Sequence, residues 1–97
     1  KIPSSILVTI FSEDLKESAF RISAILRSQG LNVITYPSVD KLSKQLKFAD
    51  KIGAKIAIIA GPDEVQAGKI TIKNLEDNIQ MTVDQFDIGK EVRKLLD

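Results

Sequence analysis

The chain has 97 residues, 43% of them apolar, enough for one domain whose core needs no metal or disulfide staple. It contains no cysteine and no histidine, which excludes disulfides, the usual zinc and haem ligands, imidazole acid–base chemistry and a thiol nucleophile. Its formal charge of +1 is too small for a protein that grips a nucleic-acid backbone by charge alone, so any RNA contact must be local.

Ile6 to Phe11 is apolar and rich in β-branched residues, and predicts the first strand. Ser12 is placed to cap the helix that follows, with Glu13 and Asp14 in its first turn against the dipole. Leu15, Ala19, Ile22 and Leu26 recur at helical spacing and form its core stripe, and Gly30 ends it. Phe20 and Ala24 lie off that stripe, either as partly buried edge residues or as a docking contact for a further domain or subunit. Leu31 to Tyr36 predicts the second strand, stopped by Pro37. Ser38 is a candidate cap for a second helix running to about Ile52, with Leu42, Leu46, Ala49 and Ile52 as its buried face.

Ile56 to Ala60 is a continuous apolar run between Gly53 and Gly61, which predicts a strand covered on both faces. Pro62 to Gln66 predicts one helical turn closed by Gly68. Lys69 to Leu75 and Ile79 to Val83 predict a hairpin around Asp77 and Asn78, where asparagine tolerates positive φ. In its first strand Ile70 and Ile72 point one way and Thr71 and Lys73 the other, the alternation of one buried and one open face. Asp84 caps a last helix with Ile88, Val92, Leu95 and Leu96 on its apolar side. No apolar run approaches the roughly 20 residues of a membrane span. No signal peptide is visible, and the first residue is Lys1 rather than methionine.

The alternating first half implies parallel strands joined by right-handed crossovers, and the hairpin adds an antiparallel edge. The expected fold is α/β: a five-stranded mixed sheet of order 2-1-3-4-5, strand one central and strand five at the edge, with three main helices on both faces. There is no P-loop, no G-x-G-x-x-G and no G-x-S-x-G, and no carboxylate pair has an evident base or metal partner. The chain is expected to be non-catalytic.

The most informative stretch is Leu46 to Leu75. Its ADKIGAK, the apolar strand, GPDE and then GKITIKNL resemble the anticodon-binding domain of class IIa aminoacyl-tRNA synthetases. The threonyl, prolyl and glycyl enzymes share the G-x-x-E turn and the basic strand after it. The run KQLKFADKIGA and the KNL ending are most similar to the histidyl enzyme. The family's usual hairpin tip, a threonine–glycine pair, is Asp77–Asn78 here.

The resemblance implies one anticodon-binding domain over residues 1–97, a piece of a larger cytoplasmic protein. It implies a tRNA(His) anticodon loop as partner, together with a separate class II catalytic domain. That domain would use ATP and Mg²⁺ to charge tRNA with histidine and would carry most of a homodimer contact. None of its arginine-bearing motifs is in this chain. The resemblance also implies that Glu64, in the G-x-x-E turn, and Lys73, on the next strand, contact anticodon bases.

Chemistry is compatible with that assignment. A carboxylate accepts from both N1–H and N2–H of guanine, and RNA is read by sequence mostly at such unstacked bases. Lys73 donates to base oxygens or to N7 but lacks the planar fork of arginine. The blander reading of Glu64 is an acid favouring a helical N-terminus. Thr71 is the other candidate on the open face. Lys41, Lys44, Lys47 and Lys51 line one side of the second helix, either as a solvated face or as a phosphate track in which Lys44 and Lys51 take part. Phe48 falls between the basic and apolar sides, at the rim of the core or as a stacking surface. Two rival readings stand beside the synthetase. One is a related regulatory or accessory domain, of a translation-control kinase or a histidine-biosynthesis subunit, that binds tRNA or protein without aminoacylation. The other is a plain protein-interaction module.

Overall fold

The computed structural model describes residues 6–96. In chain order the elements are β1 (Ile6–Val8), α1 (Lys16–Ser28), β2 (Val33–Thr35), α2 (Leu42–Lys51), β3 (Ile56–Ile59), α3 (Pro62–Gln66), β4 (Lys69–Asn74), β5 (Ile79–Asp84) and α4 (Ile88–Leu96). Short 3₁₀ turns lead into α1 and α4. The strands form one sheet in the order β2-β1-β3-β4-β5. β1 is parallel to β2 and to β3, and β4 is antiparallel to β3 and β5. This is the expected mixed sheet, with α3 as a fourth, short helix.

The chain leaves β1 towards β2 on one side and comes back past it to β3 on the other. Right-handed crossovers in opposite directions put their helices on opposite faces. Accordingly α1 and α4 cover one face, where Ile6, Val8, Ile56, Ile58, Ile70 and Ile72 meet Leu26 and Val92. α2 covers part of the other face, where its Ala49 meets Leu7, Tyr36 and Ala54. The continuous apolar runs of β1 and β3 follow from this two-sided burial. Among the described residues only Glu64 of α3 reaches over the second face beyond α2, so most of one side of the β4–β5 hairpin stays open. Among the described residues no helix is long and apolar enough to cross a membrane.

Several element ends differ from expectation, each for a local reason. β1 stops at Val8 rather than Phe11 because Ile10 finds its partners in a side chain. The Ile10 N–H donates to Gln45 Oε1 at 2.8 Å, and its C=O accepts from Gln45 Nε2 at 2.8 Å. Leu31 belongs to the close of α1, with its N–H bonded to the Leu26 carbonyl across Gly30 at φ +83°. Ser12 does not cap through its side chain. Its hydroxyl donates to Asp14 Oδ1 at 2.6 Å instead. Ser38 is not a cap either: α2 begins after Lys41 with no side-chain cap. Its buried residues are Gln45 and Ala49, with Leu42, Leu46 and Ile52 only half-buried. Asp84 caps the 3₁₀ turn Gln85–Asp87 that leads into α4, rather than α4 directly, accepting from the Phe86 N–H at 3.0 Å. Phe20 is exposed, off the packed stripe of α1.

Candidate nucleic-acid interface

β1 is the strand at which the direction of winding reverses. In open α/β sheets a crevice forms outside the carboxyl ends of the strands at such a point. Here that crevice lies beyond Val8 and Ile59, register neighbours of Ile58 and Thr71. Phe11 follows β1 on one side, and Gly61 and α3 follow β3 on the other. β4 runs back from the same end, so the open hairpin face starts where the crevice does.

Glu64 stands on α3 above this edge, half-buried. Its Oε2 accepts from Thr71 Oγ1 at 2.9 Å, and Thr71 Oγ1 lies 3.1 Å from Thr82 Oγ1. A hydroxyl has one proton to give, so Thr71 donates to Glu64 and Thr82 donates to Thr71. This relay fixes one carboxylate oxygen. The other, Oε1, has no hydrogen-bond partner among the described residues. It faces Gly61: a Cβ at that position would sit 2.8 Å from Glu64 Oε1 and 3.5 Å from Phe11 Cε1. Glu64 therefore presents one spare acceptor beside a half-exposed phenyl ring.

Thr71 is on the open face, as its alternation predicts, but it is only 4% exposed because Glu64 and Thr82 cover it. Its hydroxyl is committed to orienting the carboxylate. Lys73 is two residues farther along β4, about 7 Å away on the same face. It is half-buried and sits opposite Gln80 across the hairpin. Gln80 and Thr82 are exposed beside it. Glu64, Thr71, Thr82 and Lys73 thus share one continuous polar surface.

Lys44 and Lys51 are separate from this group. They flank Phe48 on one side of α2, and Phe48 packs edge-on against Tyr36, with ring centroids 5.5 Å apart at 80°. Tyr36 follows β2, three strand spacings or about 14 Å from β4. Phe48 is therefore tied into the core rim. Lys44 is exposed and paired with Asp40 at 3.3 Å. Asp40 is held below its ordinary pKa, first by the Lys41 N–H that donates to its carboxylate and then by Lys44 and the Tyr36 hydroxyl. Lys41, Lys47 and Lys51 have no ion-pair partner among the described residues. α2 covers the same sheet face that β4 and β5 leave open, so its basic side and the polar hairpin face belong to one side of the molecule.

Gln45 and Phe11 were not singled out by the sequence. Gln45 shares the Ala49 side of its helix, and a polar residue at a core position was the available signal. Phe11 closes an apolar run and reads as strand. No group of three or more His, Cys, Asp or Glu side chains able to hold a metal occurs among the described residues.

The fold and this edge define a class: the chain belongs to the anticodon-binding domain family, whose model matches residues 5–95. Within that class its relatives include the histidine–tRNA ligases. The ligase of Archaeoglobus fulgidus is 36% identical over 84 residues, covering 87% of this chain and 20% of that protein. That of Aquifex aeolicus is 44% identical over 70 residues, covering 72% of this chain and 17% of the relative. The crystal structure of histidyl-tRNA synthetase from Nostoc sp. PCC 7120 superposes with a TM-score of 0.94 at 33% identity, over 99% of this chain and 23% of that one. The RNA-binding domain of threonyl-tRNA synthetase from Cryptosporidium parvum shares the fold, with a TM-score of 0.87 at 17% identity over 96% of this chain and 24% of that one. The chain spans about a fifth of the length of the histidine–tRNA ligases it matches.

Proposed function

We propose that this chain recognises the anticodon loop of tRNA(His), as one domain of a longer histidine–tRNA ligase. The observation that carries the reading is the Glu64 carboxylate. One oxygen is locked by Thr71 and Thr82 and the other is left free at the end of an open polar sheet face. Such an acceptor suits one N–H donor of an unstacked base such as guanine, and the Lys73 ammonium on the same face suits a base oxygen or N7. Lys44 and Lys51 then serve the backbone, with phosphates crossing the outer side of α2 while bases lie on the hairpin. The family match and the ligase relatives support tRNA as the partner. Adenylate formation with ATP and Mg²⁺, and the main dimer contact, fall to the rest of the protein, acting in the cytoplasm.

The test uses a histidine-anticodon stem-loop and its single-base variants. Glu64→Gln keeps the size of the side chain but removes its charge and one acceptor. It is expected to reduce discrimination by about 1–3 kcal/mol, by analogy with direct readout of DNA bases. Lys73→Ala is expected to weaken both affinity and discrimination. Should Glu64→Gln bind every variant in wild-type rank and ratio, Glu64 is only a helix-turn residue and the base-reading role is lost.

A further inference from the structure

We propose that Phe11 is the stacking platform on which a base is held for inspection by Glu64, and that residue 61 is glycine to keep the ring and the carboxylate adjacent. The proposal rests on the base-reading role of this edge and adds residues and a mode of contact to it.

Four of the five residues in the run Leu7 to Phe11 are buried, and only Phe11 is open, at 47% exposure. Its ring lies at the crevice beside Gly61, where α3 begins. The backbone leading to it is rigid. Thr9 Oγ1 donates to the Ile58 carbonyl at 2.8 Å, and both backbone groups of Ile10 are held by the buried amide of Gln45. An exposed aromatic ring on a fixed backbone is what base stacking uses, because its surface is offered without ordering a loop.

Gly61 has an ordinary reason for conformational freedom only if its backbone demands it, and it does not. Its φ is −81° and ψ 177°, open to any residue. It precedes α3 as the N-cap, where serine or aspartate would serve at least as well. What glycine supplies is space. An added Cβ would overlap Glu64 Oε1 at 2.8 Å while touching the Phe11 ring at an ordinary 3.5 Å. The bare position thus lets the free oxygen and the ring edge approach one point within 4 Å. A nucleobase stacked on Phe11 would bring its edge to that oxygen, and the site would favour a base carrying an N–H donor there.

The experiment titrates the chain against anticodon stem-loops carrying 2-aminopurine at each loop position in turn. Wild type should quench one position. Phe11→Leu should remove that quench and weaken binding roughly ten-fold, and Phe11→Tyr should restore both. Gly61→Ala pushes only the flexible end of Glu64, so it should keep the quench while flattening discrimination among bases at the same position. Thermal unfolding establishes that each variant is folded. If folded Phe11→Leu quenches and binds as wild type does, or if wild type binds without quenching any position, the stacking role is overturned while anticodon binding stands. If Gly61→Ala discriminates as wild type does, the spacing role is overturned. If wild type binds no stem-loop at all, both this inference and the reading beneath it fall.

Discussion

The amide of Gln45 is fully buried and bonds the N–H and C=O of Ile10 and the C=O of Asp40, all at 2.8 Å. It works as a backbone unit would, finishing β1 and tying it to the loop before α2. Replacing it by an apolar residue of similar length leaves those groups buried and unpaired. Each such group costs about 1–3 kcal/mol, so Gln45→Met is expected to destabilise the chain by roughly 2–4 kcal/mol after partial relaxation. Urea unfolding measures this as a lower midpoint with an unchanged slope. A loss under about 0.5 kcal/mol would mean that water can replace the amide. The residue was invisible to pattern reading because helical spacing gives only an angle around the axis. Nothing in the sequence states that the loop beneath Gln45 would lack backbone partners. Thr71 shows the same gap: alternation put it on the open face, but its burial depends on Glu64, which comes from another element.

At the level of elements, order and pairing were legible and ends were not. Apolar period and glycine positions predict the nine segments between residues 6 and 96, because burial repeats along each of them. Their limits are decided by single hydrogen bonds, as at Ile10 and Leu31. The hairpin is a case in point. β4 and β5 pair from Asn74 with Ile79, so four residues, Leu75 to Asn78, form the tip. Asn74 Oδ1 accepts from the Glu76 N–H and Asp77 Oδ1 from the Ile79 N–H, both at 3.0 Å. Asn78 closes the loop at φ 61°, the one non-glycine residue with positive φ among those described. Asn78→Gly is therefore expected to change stability by a few tenths of a kcal/mol only, whereas Asn78→Val should cost about 1–2 kcal/mol. Thermal melts of the two variants decide it. Equal melting points would show that the tip relaxes to another turn. The Lys73 position depends on this register, since a slip of one residue would turn its side chain into the core face.

For the whole molecule, the sheet order follows from three facts of sequence: two buried strands, alternating helices and one hairpin. What the sequence could not supply was the distance between candidate contacts, because Lys44 and Lys51 belong to a helix whose roll over the sheet is set by packing. The structure puts them on α2, over the β2–β1–β3 part of the sheet, and Glu64 with Lys73 at and beside β4, all on one side of the domain. This arrangement suits a near-neutral protein that lays down a few contacts over a broad surface. The salt dependence of binding follows from that count. Each phosphate contact to a single strand adds roughly 0.7 to the slope of log affinity against log salt. Lys51→Ala, which breaks no ion pair, should lower the slope by about that amount. Lys44→Ala should lower it less, since Lys44 already shares its charge with Asp40. Lys90, exposed on α4 against the opposite sheet face, is the control. Lys90→Ala changes net charge by the same unit and should leave the slope as it is. If all three substitutions shift the slope equally, the interaction is with overall charge, and the α2 lysines are a solvated face. If Lys51→Ala alone moves it, the strand passes over the outer side of α2 on its way to the hairpin.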